Sequence, residues 1–210
     1  MTTPQTHWVK VWDLPVRIFH WALVAAFVFS YITGEEDTTL HSYSGYFITG
    51  LVIFRIVWGL IGSHYARFSE FLYSPRTVLN YIHDMRAGKG KRYLGHNPAG
   101  GYMIVAMLMT LSVVVLSGMK LYAEEEGKGP FAQNNVISMQ VIATARASDD
   151  DDEKEHGEHE DEFWEEVHET AVNFMILLVL LHIGGVVMSG KKHDENLVSA
   201  MISGKKRDNE

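Results

Sequence analysis

The sequence predicts an all-α fold, an integral membrane four-helix bundle with both termini cytoplasmic and a long acidic external loop between the third and fourth helices. Two observations predict it: four long apolar stretches, and a segregation of charge among the segments that join them. The average composition of the 210 residues, 47% hydrophobic and 21% charged, hides both features because it resembles that of a soluble domain. Yet 10 of the 26 acidic residues lie within Asp149–Glu162. Blocks of charge therefore indicate the class of this protein better than averages do.

Each apolar stretch has about the length that a membrane-spanning helix needs. A helix needs about 20 apolar residues to cross a hydrocarbon layer about 30 Å thick. The alternatives are a buried bundle in a soluble protein and, for the first stretch, a signal peptide, although no small-x-small cleavage pattern follows it. We expect spanning helices at about residues 16–33, 43–61, 100–119 and 165–189, within a single domain of residues 1–210.

Basic residues lie mostly on one side of these helices. Of the 18 lysines and arginines, 13 lie in residues 1–17, between the second and third helices, or after residue 189. By the positive-inside rule, this places both termini in the cytoplasm and the chain in the lipid bilayer of the cytoplasmic (inner) membrane. The insertion at about residues 120–162 is then external. Its second half, from Ser148, is expected to be disordered because its carboxylates repel one another.

A shorter helix is predicted between the second and third spans. Ser74 and Pro75 form a helix start signal, Val78, Leu79, Tyr81, Ile82 and Met85 follow on one face, and Gly88 is a stop signal. Such a helix lies on the cytoplasmic membrane surface or packs on protein, and the sequence leaves both interpretations open.

Composition also excludes several kinds of site. With no cysteine, the chain has no covalent haem attachment motif, Cys-ligated iron–sulfur cluster, thiolate zinc site or disulfide. A net charge of -8 argues against nucleic acid as a partner. No phosphate-binding loop or nucleophile–base pair is evident, which argues against independent substrate chemistry. Metal chemistry must then use histidines or carboxylates.

Four of the 11 histidines lie within or at the ends of the predicted spans. An ionisable side chain in a membrane is costly, so each is a functional candidate. His168 and His182 are 14 residues apart, which is about 21 Å along a helix and close to four turns, so both point to one face. If successive helices run in opposite directions, His20 lies at the depth of His182 and His41 at the depth of His168.

Each of these pairs is suited to hold iron. Two imidazoles on opposed helices can sandwich a porphyrin at both axial positions, and this arrangement leaves iron no open site. It suits electron transfer better than oxygen binding. For each histidine, the alternative is a hydrogen bond to a neighbouring helix or an interfacial position.

Two arginines are candidates for binding a haem propionate. Arg55 is 14 residues after His41 and therefore lies on nearly the same face of the second helix, and Arg17 lies one turn before His20. A propionate would offset the cost of a buried cation. Snorkelling of Arg55 to the cytoplasmic surface is the alternative. Four glycines in the second and fourth helices leave room for a macrocycle or serve plain helix packing: Gly45, Gly50, Gly184 and Gly185.

The remaining histidines carry weaker expectations. Those outside the spans are expected to be solvated or hydrogen-bonded: His7, His64, His83, His96 and His193. In the acidic insertion, His156 and His159 lie among carboxylates and form a weak candidate for divalent metal binding, since flexible acidic tracts rarely bind specifically.

Several segments together resemble the prokaryotic cytochrome b561 family, which is related to the cytochrome b subunit of nickel-iron hydrogenases. The resemblance covers about residues 8–192 and is interrupted by the acidic insertion. The segments are Val11–Trp21, His41 with Gly45 and Tyr46, Arg55–Gly59, Gly62–Phe68, Ser74–Arg76, Tyr93–Gly101, and His168 with His182.

The resemblance implies a four-helix membrane anchor that holds two b-type haems with His20, His41, His168 and His182 as axial ligands. It also implies electron exchange between the quinone pool, with quinone or quinol as substrate, and a periplasmic redox partner. The acidic insertion would attract a basic partner such as a c-type cytochrome, or would serve only as a solvated spacer. The alternatives are an anchor subunit of a periplasmic oxidoreductase and a four-helix transporter without haem.

Overall fold

The computed structural model describes residues 7–34, 38–132 and 152–208. The helices in these ranges are α1 Leu14–Thr33, α2 Thr38–Ile61, α3 Pro75–Arg86, α4 Pro98–Glu126, α5 Asp152–His193 and α6 Leu197–Ser203, and the strands are β1 His7–Lys10 and β2 Lys205–Asp208. Two short 3-10 turns, His64–Ala66 and Phe68–Glu70, lie between α2 and α3. Four helices, α1, α2, α4 and α5, are long and apolar enough to cross a membrane, as predicted.

Two of these helices extend well beyond their predicted ends. α4 continues to Glu126 and α5 begins at Asp152, so helix occupies both ends of the insertion predicted at residues 120–162. The predicted ends were set where hydropathy falls, that is, at the edge of the membrane. The helices continue past that edge because their backbone hydrogen bonds also form in water. α4 ends at Gly127, whose φ of 63° is left-handed and favours glycine. The disorder expected from Ser148 lies mostly outside the described residues, and from Asp152 onward the backbone is helical.

Side-chain caps begin the first and third spans. An oxygen of Asp13 accepts a hydrogen bond from the Val16 amide at 2.9 Å, and Asn97 accepts one from the Gly100 amide at 2.7 Å. A proline follows in the first turn of each helix, where its missing N–H costs nothing. Both caps lie at the end of the bundle that also carries α3.

The four spans pack around a small core and leave most apolar side chains facing outward. α5 packs on α4, α4 on α2, and α2 on α1. The core residues are Ala26, Ile48, Val52, Leu111, Val115 and Met175. Outward-facing residues such as Ile53, Leu116 and Leu180 are more than half exposed, as a lipid-facing surface requires.

A two-stranded antiparallel sheet joins the two ends of the described chain, so the expectation of an all-α fold was incomplete. β1 pairs with β2 in the register His7 with Asp208 through Lys10 with Lys205. The amides of Val11 and Trp12 both donate to the carbonyl of Gly204. Four-residue strands are too short to show alternation in a sequence. Because β1 and β2 pair, the two ends of the described chain lie on the same side of the membrane. The chain must therefore cross the membrane an even number of times.

The helix predicted after Ser74 is present as α3. The Ser74 hydroxyl accepts a hydrogen bond from the Thr77 amide at 3.3 Å, and the helix ends before Gly88, whose φ is 77°. Val78 and Tyr81 are buried, whereas Leu79 is 67% exposed. The predicted apolar face is therefore divided between the protein interior and the outside.

Candidate haem-binding sites

The four histidines of the spans form two pairs, and the partners are those expected from their depth. The ring centroids of His20 on α1 and His182 on α5 are 6.5 Å apart, with an angle of 50° between the rings. Those of His41 on α2 and His168 on α5 are 6.0 Å apart, at 84°. α5 thus contributes one histidine to each of two levels, which are about 21 Å apart along its axis.

Both separations fit a pair of imidazoles on one iron. Because a bond between a metal and an imidazole nitrogen is about 2 Å long, two imidazoles on opposite sides of one metal place their ring centroids roughly 6 Å apart. The observed distances of 6.5 and 6.0 Å match this value.

The outer pair, His41 and His168, is held by backbone carbonyls. Nδ1 of His41 donates to the Ser30 carbonyl at 2.9 Å, and Nδ1 of His168 donates to the Val114 carbonyl at 3.0 Å. A carbonyl only accepts, so each Nδ1 carries the proton and each Nε2 keeps its lone pair. This is the tautomer that a metal ligand needs, oriented by its second hydrogen bond.

Hydroxyl groups and a glycine complete the surroundings of the outer pair. The hydroxyls of Ser30 and Ser117 lie 3.3 and 3.2 Å from Nδ1 of His41 and His168, respectively. A Cβ at Gly118 would lie 2.9 Å from Cε1 of His168, closer than real contacts allow. Gly118, which sequence reasoning missed, therefore admits the His168 ring.

The inner pair, His20 and His182, has a different setting. Nδ1 of His20 is buried and has no hydrogen-bond partner among the described residues. Its ring packs edge-on against Trp21, with centroids 5.0 Å apart. A Cβ built at Gly45, Gly50, Gly184 or Gly185 would meet nothing within 4 Å, so both alternatives for these glycines, room for a macrocycle and an open helix surface, stay open.

Arg55 lies inside the protein, so the snorkelling alternative is wrong. The residue is 3% exposed, its guanidinium carbon lies 4.9 Å from the Phe68 ring centroid and 6.0 Å from that of Phe71, and its Nη1 lacks a hydrogen-bond partner in the described chain. An anion is expected beside such a group.

The carboxylate of Asp13 attracts Arg55 but is already occupied by other donors. Burial alone would raise the pKa of Asp13, yet hydrogen bonds from the Ser63 hydroxyl, the Val16 amide and the Trp58 indole, together with the charge of Arg55, lower it. The indole bond to Asp13 measures 2.9 Å. Asp13 therefore stays ionised, and its oxygens are turned to donors other than the guanidinium.

Arg17, the second predicted arginine, is only partly satisfied. Its Nη1 donates to the Ser203 carbonyl at 3.1 Å, which ties α1 to the end of α6. Its Nε is buried, and no described residue accepts from it. A free donor thus lies one turn before His20, where a propionate-binding group was predicted.

The position of His96 also differs from the one that the sequence predicted. It was expected to be solvated or hydrogen-bonded, but its Nδ1 is buried without a partner in the described chain. Its ring lies between Trp12 and Phe71, with centroid distances of 4.5 and 4.7 Å. Burial, with the charges of Arg55, Lys206 and His182, lowers the pKa of His96 to about 3. The sequence offered one signal that His96 is functional, its position in Tyr93–Gly101, one of the segments that resemble the cytochrome b561 family.

The other histidines outside the spans differ from His96. The side chain of His83 is 84% exposed and that of His64 is 60% exposed, 3.3 Å from Glu70. Within the described ranges, no group of three histidines or carboxylates is arranged to hold a metal ion. The side chains of His156 and His159 lie outside the described residues, so that candidate stays a prediction.

Comparison with known proteins identifies the family of the chain. A family described as prokaryotic cytochrome b561 matches residues 11–204. Three relatives, each named probable Ni/Fe-hydrogenase B-type cytochrome subunit, are 24% identical to the chain. They come from Bradyrhizobium diazoefficiens, Rhodobacter capsulatus and Rhizobium leguminosarum bv. viciae; the alignments cover 95%, 93% and 94% of this chain and 86%, 80% and 88% of the relatives. No solved structure matches. The chain belongs to the prokaryotic cytochrome b561 family and is a multi-pass membrane cytochrome of the b type.

Proposed function

We propose that the chain holds two haem b groups and transfers electrons through the cytoplasmic membrane, between the quinone pool and a periplasmic redox partner. The observation that carries this proposal is the pair of histidine pairs along α5, with ring separations of 6.5 and 6.0 Å. Haem b, when bound, supplies a one-electron iron couple. Ligation from both sides leaves iron no open position, which favours electron transfer over substrate chemistry.

Each predicted residue has a role in this proposal. His20 and His182 would hold one haem and His41 and His168 the other, and the carbonyls of Ser30 and Val114 orient the outer two histidines. Arg17 and Arg55 bind propionates, since both present buried donors without protein partners in the described chain. Apolar packing around the pairs keeps water out, so nearby charge acts strongly on the iron potentials.

The orientation is part of the same proposal. Both termini are cytoplasmic, supported by the 13 basic residues on that side and by the β1–β2 pairing, which requires the two ends of the chain to share a side. The inner pair then lies toward the cytoplasm and the outer pair toward the periplasm.

For the partner, the names of the relatives favour a membrane-bound oxidoreductase. Three relatives are named as cytochrome subunits of a Ni/Fe-hydrogenase, and we propose that this chain serves such an enzyme as its membrane subunit. The acidic residues Asp149–Glu162 would attract a basic surface of that partner, or of a c-type cytochrome. Hydrogen added to membranes that contain the chain should reduce its haem, and a haem that responds only to quinol would exclude hydrogenase as the donor.

The decisive measurement is a pyridine haemochrome count on the purified chain. We expect two haem b per polypeptide, one in His182→Ala, one in His168→Ala and none in the double variant. His83→Ala is the matched control, because that side chain is 84% exposed, and it should retain two. A colourless wild-type protein would instead favour a transporter that uses histidines as proton relays.

A further inference from the structure

Two buried nitrogens without hydrogen-bond partners in the described chain both lie close to one aromatic ring, that of Phe71. The guanidinium of Arg55 lies 6.0 Å from the centroid of Phe71, and the imidazole of His96 packs against the same ring at 4.7 Å. Nη1 of Arg55 and Nδ1 of His96 are buried, and neither has a hydrogen-bond partner among the described residues. Native proteins rarely bury even one such unpaired polar group. Arg55 can only donate, and His96 donates in the tautomer that carries the proton on Nδ1, so one shared acceptor would satisfy both.

The protein itself offers no free anion there in the described chain. Asp13 accepts hydrogen bonds from Val16, Trp58 and Ser63. Glu195 is bound by Arg92 and by Lys206.

The nearest cavity does not supply one either. It measures about 260 Å³ and is lined by His96 and three tyrosines, Tyr65, Tyr73 and Tyr93. Its one carboxylate, Glu70, lies 3.3 Å from His64. No carboxylate among the described residues is thus free to accept from Arg55 and His96, and an acceptor from outside the described chain fits both.

We propose that Arg55 and His96 together bind one propionate carboxylate of the haem held between His20 and His182. This inference rests on the proposed function. The guanidinium supplies the charge, and neutral His96 donates Nδ1–H to the same carboxylate. Trp12 and Phe71 fix the plane of the imidazole, so His96 both anchors the group and stabilises its negative charge.

Substitutions at His96 separate the hydrogen bond from the packing. His96→Phe keeps an aromatic ring between Trp12 and Phe71 but removes the donor, whereas His96→Gln keeps an N–H donor and loses the ring. In His96→Phe the carboxylate loses a donor and its negative charge acts more strongly on iron, so the midpoint potential of one haem should fall. It should fall further in Arg55→Gln and stay near the wild-type value in His96→Gln. His64→Phe, on the outer wall of the same cavity, should change neither potential.

Infrared spectroscopy identifies the ligand directly. The chain is prepared with haem that carries ¹³C in its propionate carboxyls, and the reduced-minus-oxidised difference spectrum is recorded. Isotope-sensitive carboxylate bands should shift in His96→Phe and in Arg55→Gln, but not in His64→Phe. This measurement also serves when His96→Phe loses stability, because Arg55→Gln can be compared with the wild type and with His96→Gln.

The results separate this inference from the function on which it rests. If His182→Ala retains two haems, the ligand assignment is wrong and this site falls with it. If His182→Ala loses one haem while His96→Phe leaves both potentials and all isotope-sensitive bands unchanged, only the propionate site is wrong. A shift of both potentials by equal amounts would also overturn it, since that indicates a general structural effect.

Discussion

The two histidine pairs share α5 but differ in the groups around their rings. In the outer pair, His41 and His168 each donate to a backbone carbonyl, and nearby hydroxyls add neutral dipoles. Around the inner pair the protein supplies arginines and a neutral imidazole with unused donors. The outer level thus has histidines fixed by the polypeptide, and the inner level has unused donors that suit negative charge.

This difference predicts different iron potentials. A hydrogen bond from Nδ1 to a carbonyl makes imidazole a stronger electron donor, which stabilises oxidised iron. Positive charge from Arg17 and Arg55 stabilises reduced iron instead. We therefore expect the inner haem to have the higher midpoint potential, so that an electron entering at the outer level moves inward with a favourable free energy.

The largest effect should come from removing one ligand of each pair. In a redox titration, His182→Ala should lose the high-potential component and keep the low-potential one, and His168→Ala should do the reverse. Haem content falls from two to one in both variants, so only the titration distinguishes them. If His182→Ala keeps the high-potential component, the assignment of the higher potential to the inner level is wrong, even if the wild type holds two haems.

Gly118 offers a gentler change at the outer level. A Cβ there would press on the ring of His168 at 2.9 Å, so Gly118→Ala should lower the content of the low-potential haem and Gly118→Val should bring the total close to one per chain. Val113→Leu, which enlarges an exposed side chain of the same helix, is the control and should retain two haems. Full haem content in Gly118→Val would show that the ring has more freedom than its contacts indicate.

Much of this architecture could be predicted from periodicity and depth. Four apolar stretches determine the number of spans, and a separation of 14 residues places His168 and His182 on one face of a helix whatever surrounds it. Antiparallel neighbours then fix the partners, His20 and His41. Local signals also located α3, because Ser74 and Pro75 act through their own backbone.

What could not be predicted depends on tertiary packing. His96 lies in a loop, and its burial arises from Trp12 and Phe71, which are distant in sequence. Arg55 has the same sequence context whether it snorkels or stays inside, and only the rings of Phe68 and Phe71 distinguish the two. The β1–β2 pair joins residues about 200 positions apart, beyond the reach of any local pattern.

Asp13, which lies beside Arg55 at the inner level, should make the stability of the protein depend on pH. Asp13→Asn should lower the free energy of unfolding by about 1–2 kcal/mol near neutral pH, because an amide nitrogen cannot accept from Trp58 or Ser63 and the neutral side chain loses the attraction of Arg55. The pKa of Asp13 is lowered in the folded protein, so its contribution is complete above the ordinary value of 3.8 and is lost as pH falls further through the folded value. Thermal unfolding in detergent at several pH values measures this.

Asn97→Ala is the matched control for that titration. It removes the corresponding cap of α4, where Asn97 accepts from the Gly100 amide, but no ionisable group. The stability difference between wild type and Asp13→Asn should shrink at acid pH, whereas the loss in Asn97→Ala should not change through the titration of a carboxylate. Parallel curves for the two variants would show that the charge of Asp13 adds nothing to stability.

The smallest expected effect tests whether hydroxyls matter at the outer level. The Ser117 hydroxyl lies 3.2 Å from Nδ1 of His168 but also donates to the Val113 carbonyl, and the imidazole keeps its own bond to Val114 in Ser117→Ala. We expect two haems, a loss of about 0.5–1.5 kcal/mol in stability and a small change confined to the low-potential component. Ser112→Ala removes the same kind of hydroxyl-to-carbonyl bond, to Leu108, without a histidine nearby. If both variants leave the potentials alone, the carbonyl alone fixes His168. If Ser117→Ala shifts the high-potential component instead, the two levels are coupled through α4 and cannot be tuned separately.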